Sequence, residues 1–197
     1  MNPLKQLFLS ELADHLDAAK RLPPVMSDML QAATGKGLPK LLKAHLKETE
    51  KHVKKLEKVF KAFDAKVTLK KCEATIGLIK EGEEIILELA GSPAINAALI
   101  GLAQKVEHHE IASYGCLHEW ATVLGNKKAA EILGRLLEEA KDANDELVEL
   151  ACSRCNLEAM EEGNHHHDGA GDGHPTRAAK RDGMLPLKGN RRGSLSA

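Results

Sequence analysis

Apolar residues recur at every third or fourth position along most of the chain, the spacing of a helix with one buried face. No stretch of useful length alternates as a half-buried strand would. Leu4, Phe8, Leu12, His15, Leu16, Ala19 and Leu22 define the first face. Pro23-Pro24 removes two backbone donors and predicts a broken helix, although Val25, Met26, Met29 and Leu30 resume the stripe before Gly35-Lys36-Gly37 ends it. A second face, running through Leu38, Leu41, Leu42, His45, Thr49, His52, Leu56, Val59 and Phe63, is continuous but carries polar side chains in its middle. A connector from Asp64 to Lys71 leads to a shorter amphipathic helix over Glu73 to Leu89, which Gly91-Ser92-Pro93 stops. A long helix then runs from about Ala94 to Leu124. After Gly125-Asn126, Ala129, Leu133, Leu136, Leu137, Ala140, Asn144, Leu147 and Leu150 stripe the last one to about Cys155.

Four long helices joined by breaks predict an all-α protein: an antiparallel four-helix bundle with one additional short helix over residues 1–162. Residues 163–197 read as a disordered polar tail, because His165-His166-His167 and the Gly, Asp, Pro and Arg residues after it show no apolar period. Composition supports this division. Aromatic residues make up only 3% of the chain, which disfavours β-sandwiches and barrels, and 197 residues suffice for one well-buried core.

Lys and Arg total 28 against 29 Asp and Glu, so no global field draws the chain to nucleic acid or anionic lipid. The pairs Lys180-Arg181 and Arg191-Arg192 read as solubilising, and no specific nucleic-acid partner is expected. The first residues lack a basic segment followed by an apolar one, and no stretch is long enough to span a membrane, which makes the cytoplasm the default location. Four unevenly placed cysteines do not make a secreted disulfide framework. Cys152-Ser153-Arg154-Cys155 has the spacing of a redox or zinc half-site, but with no second pair it reads as a helix end.

The chemistry lies in the polar residues of the helical faces. Glu107 and Glu110 stand one turn apart on an otherwise apolar helix, and burying them is costly unless something pairs with them. Glu48 and His52 are also one turn apart, so two facing helices could offer oxygen and nitrogen ligands to one metal site. His108, His109 and His118 are spread around their helix and cannot all face one site, and His45 reads as a core or interface group.

Several separate motifs also carry a family likeness from about Leu7 to Ala151. His45-Leu46-Lys47-Glu48-Thr49 with Leu56-Glu57, Lys71-Cys72-Glu73-Ala74 with Gly77-Leu78-Ile79 and Glu81-Gly82-Glu83-Glu84, and Val106-Glu107-His108 with Glu110-Ile111-Ala112 and Tyr114-Gly115 occur in order. Together they resemble the YciF-like family of ferritin-like bacterial stress proteins. The resemblance implies a homodimer of ferritin-like bundles with a dinuclear iron or manganese site and a role in stress, without defining a reaction. It also marks departures: Ala19, Ala140 and Asn144 stand where the family usually has acids. His15, one turn before Ala19, could supply a replacement nitrogen. The expected ligand set is therefore reduced to His15, Glu48, His52, Glu107 and Glu110. Two functions follow: a stress-response protein that binds iron or manganese at a degraded site, or a non-catalytic dimeric scaffold that has lost its metal chemistry.

Overall fold

The computed structural model describes residues 2–164; the expected tail, except for Gly163 and Asn164, lies outside them. Within this range the chain forms α1 (Pro3–Ala32), α2 (Gly37–Ala62), α3 (Glu73–Glu88), α4 (Ile95–Val123) and α5 (Lys127–Leu150). A π-helical turn, Ala151–Cys155, then leads into α6 (Asn156–Asn164). There is no strand among the described residues.

Local signals set the helix starts. Asn2 caps α1 by accepting the Leu4 N–H at 2.8 Å, with Pro3 in the first helical position. Asn126 caps α5 by accepting the Ala129 N–H at 3.1 Å. The break expected at Pro23-Pro24 does not occur, and α1 runs through both prolines. Proline inside a helix costs about 3 kcal/mol or more. Opposing this, Leu22, Val25, Met26 and Met29 on either side of the pair are all buried on one face, and each such burial is worth about 1.5–3 kcal/mol. Packing overrides the local preference.

The long helices pack as a ring in the order α1, α2, α5, α4, so α2 and α4 face each other across the centre. Two contacts fix the directions. At one end the Thr34 N–H donates to Asn96 Oδ1 at 2.9 Å, and at the other Asn126 Nδ2 donates to the Ala62 carbonyl at 2.7 Å. Each helix is thus antiparallel to both ring neighbours. Because α2 and α4 run the same way, the chain must climb back between them, and α3 with its connectors makes that crossover against α1 and α4. Gly82 permits the close approach: a Cβ there would lie 2.7 Å from Leu102 Cδ2 and 3.3 Å from Val25 Cγ2.

The interior divides into layers. One apolar cluster gathers Phe8, Leu12, Phe60, Leu117 and Leu133, and another gathers Met29, Leu38, Leu42, Leu99 and Leu147. The polar residues of α2 and α4 fall between them, which places the candidate site near mid-bundle.

Candidate functional site

His45, Glu48, Thr49 and His52 of α2, Glu107 and Glu110 of α4, and Glu139, Ala140 and Ala143 of α5 surround a cavity of about 10 Å3. That is room for about one water-sized occupant. Their spacing explains the convergence. On α2 the pairs 45/49 and 48/52 are four residues apart and 45/48 and 49/52 three, on α4 the pair is three apart, and each set therefore stays on one side of its helix.

Two histidine–carboxylate pairs cross the bundle diagonally. His45 Nδ1 lies 3.8 Å from Glu107 Oε1, and His52 Nδ1 lies 3.7 Å from Glu110 Oε2. His52 is engaged on three sides, with Tyr114 Oη 3.1 Å from Nδ1 and Glu139 Oε2 3.4 Å from Nε2. Lys55 in turn donates to both Glu139 oxygens, at 2.6 and 2.5 Å. His45 Nε2 also has Glu146 Oε2 at 4.0 Å.

Burial dictates the charge states. It pushes the Glu107 carboxyl up to about 9, helped by the negative Glu110 and Glu48, so Glu107 keeps its proton at neutral pH. Burial alone would raise Glu110 too, but His52, together with His15 and His109, brings it below the usual carboxylate range. The two carboxyls one turn apart therefore divide into a proton holder and a charge holder. Burial lowers His45 and raises Tyr114. Several buried atoms have no hydrogen-bond partner: Glu110 Oε1, His45 Nδ1, His52 Nε2 and Asn144 Oδ1. Unsatisfied buried groups of this kind cost about 1–3 kcal/mol each.

Four of the five residues expected from the sequence, Glu48, His52, Glu107 and Glu110, line this cavity together. Glu48 sits at its exposed rim. His15 does not line it; its ring packs edge-on against Tyr114 at 4.5 Å and lies 5.6 Å from His109. Ala140 lines the cavity wall, while Ala19 is fully buried in the apolar cluster below. Glu139 and His45 are cavity residues that pattern reading did not assign to a site. Glu139 reads as an exposed helix edge, and only its position one residue before Ala140 could have suggested otherwise.

Imidazole nitrogens and carboxylate oxygens are the donors that suit iron or manganese, and Glu110 Oε1 and His45 Nδ1 make no hydrogen bond. The cavity has room for one ion, and the alanines deny bridging carboxylates to a second. Among the described residues no group of three or more His, Cys, Asp or Glu side chains is placed to hold a metal ion.

The fold and this layer define a class: an all-α antiparallel bundle with a crossover helix and a buried histidine–carboxylate centre. Residues 3–160 match a family model described as Domain of unknown function (DUF892), and the chain belongs to that family. Protein YciF of Escherichia coli (strain K12) is 36% identical over 160 residues, covering 81% of this chain and 96% of that protein. The crystal structure of this E. coli stress protein superposes with a TM-score of 0.75 over 79% of this chain and 99% of that one. YcfI from Rhodopseudomonas palustris is 37% identical, with a TM-score of 0.71 over 75% of this chain and 94% of its own. Among the described residues no helix is long and apolar enough to cross a membrane.

Proposed function

We propose that this protein serves in the stress response, as its E. coli relative is described, and binds a single iron or manganese ion at the cavity between α2, α4 and α5. The ligands are Glu48, His52, Glu107 and Glu110, with Glu139 beside them. The observation that carries this reading is the set of buried, unpartnered donor atoms around a cavity of one-ion size. When bound, such an ion supplies redox or Lewis-acid chemistry. Glu107 releases its proton to admit a cation, Glu110 supplies the resident negative charge, and Tyr114 holds the His52 ring through Nδ1. Binding is weak, because an entering ion displaces a proton and finds few carboxylates to offset its charge.

Elemental analysis after loading with Mn2+ tests this in the untagged full chain. Glu48→Ala combined with Glu107→Ala should lower the content by one ion per chain. Comparing the two cancels any metal held by the tail histidines. Ala140→Glu with Asn144→Asp on α5 should raise it towards two. Equal content in the parent and the double variant would sink the reading and favour the alternative, a scaffold without metal chemistry. Ala19, Ala140 and Asn144, and the absence among the described residues of any three-ligand group placed to hold a metal, favour that second reading.

The same proposal includes a homodimer. The crossover helix α3 buries only Thr75 and Gly82 completely and leaves Leu87 78% exposed beside an open groove of about 640 Å3. A second copy covering this face would remove that apolar surface from water. Light scattering should show a dimer at micromolar concentration, and Leu87→Glu should shift it to monomer. A parent protein that is monomeric there would refute the dimer.

A further inference from the structure

The net charge of -1 conceals a segregation of charge along the chain. Helix α2 carries eight lysines against three glutamates, whereas α5 carries seven acidic residues against four basic ones. Seven of the α2 lysines, Lys40, Lys43, Lys47, Lys51, Lys54, Lys58 and Lys61, follow one another at three or four residues, and all are exposed. That period keeps them on one face of the helix, opposite the buried stripe of Leu42, His45, Thr49, His52 and Leu56. At a rise of about 1.5 Å per residue the row is roughly 30 Å long.

Among the described residues none of the seven is in an ion pair or a hydrogen bond, while Lys71, Lys80, Lys105 and Lys141 elsewhere on the surface each have a carboxylate partner. On α2 itself the paired lysine is Lys55, which lies off the row and reaches Glu139. Like charges three and four apart destabilise a helix, so the row is a cost to the isolated chain. Solubility does not require it, because a face of mixed signs serves as well.

The shape and chemistry of the row select among polyanions. An anionic bilayer is held by apolar side chains inserted beside the lysines, and none of the large exposed hydrophobic residues is on α2. Single-stranded nucleic acid is held by stacking on aromatic rings, and no Phe, Tyr or Trp of the chain is exposed. Duplex nucleic acid needs only cations in reach of its phosphates, and roughly 30 Å is the length of about nine base pairs. The acidic face of α5 on a second copy is complementary in sign but already partly neutralised: Glu138 pairs with Lys141, Glu139 with Lys55, and Arg135 stands among the exposed acids.

We infer that the lysine row of α2 is a docking surface for the phosphate backbone of duplex nucleic acid, bound without regard to sequence. The balanced charge of the whole chain does not oppose this, because exposed charges act within about 10 Å at ordinary salt and the row is locally of one sign. The surface faces away from the central cavity and stands independently of any metal bound there.

Fluorescence anisotropy of a labelled DNA duplex of roughly 20 base pairs, titrated with the full chain at about 50 to 200 mM salt, tests the inference. The parent should bind at the lower salt. Lys43→Gln, Lys47→Gln, Lys51→Gln and Lys54→Gln combined should weaken binding about tenfold or more there, and should flatten the slope of log affinity against log salt by about 3 to 4, since each phosphate contact contributes about 0.9. The pair Lys47→Gln with Lys51→Gln should flatten it by about 2. Lys71→Gln, Lys80→Gln, Lys105→Gln and Lys141→Gln combined change the net charge equally and should leave most of the affinity. The tail is the same in all these proteins, so its basic pairs cannot produce the difference. The row variant should melt no lower than the parent, because its lysines repel one another and pair with nothing. No binding by the parent, an unchanged slope in both row variants, or an equal loss in the two quadruple variants would overturn the inference. Tighter binding to phosphatidylserine vesicles than to the duplex would overturn it in favour of a membrane surface. Unchanged duplex binding with loss of self-association in the row variant would overturn it in favour of a second copy.

Discussion

Metal-free protein carrying Glu107→Gln should be more stable than the parent at pH 7, by up to about 3 kcal/mol. In the folded chain Glu107 titrates near 9 instead of 4.5, mainly because it is buried. A raised folded pKa contributes stability that is fully present below about 4.5 and lost as pH rises through about 9, since the unfolded chain releases its proton first. From 4.5 to 7 the loss is about 2.5 pKa units at 1.36 kcal/mol each, an upper bound because Glu110 shares the titration. Glutamine keeps the shape and cannot ionise. Its advantage should vanish at pH 4 and grow towards pH 9, as urea denaturation at the three pH values would show. A glutamine variant less stable than the parent at pH 7 would mean that Glu107 is ionised and paired in the fold.

His15 should produce the opposite dependence. Burial lowers it to about 4, with His109 and His52 adding to the effect while Glu110 and Asp14 oppose it. A lowered histidine pKa contributes stability that is present above about 6.5 and lost as pH falls through about 4. The acid loss reaches about 3 kcal/mol by the same conversion. His15→Phe keeps a ring against Tyr114 and removes both unpartnered nitrogens, so melting temperatures should fall less between pH 7 and pH 4.5 than in the parent. An equal fall in both would place the acid sensitivity elsewhere.

The order of the first five helices was legible because an apolar stripe of period 3.6 is imposed by burial itself, whereas α6, with little apolar stripe of its own, was not expected beyond Cys155. Leu38 to Phe63 is the clearest case: every stripe residue except Leu41 is buried, including His45, Thr49 and His52. Pro23-Pro24 was misleading because a local rule predicts the break, while the packing of Val25 and Met26 against Val106 lies beyond sequence reach. The site was half legible for the same reason. Glu107 and Glu110 stand out as charges on an apolar face. Glu139 belongs to a polar edge and enters only because α5 meets α2 there. His15 pointed inward as expected, yet only the third dimension places it with Tyr114 and His109, away from the cavity wall.

The central claim, one ion per chain at the mid-bundle cavity, is tested most directly by anomalous diffraction from crystals of the full chain soaked in Mn2+. One peak per chain should appear between His52, Glu107 and Glu110, and should vanish in Glu110→Gln. No peak there, two peaks sharing the cavity, or a peak that survives Glu110→Gln would contradict the account.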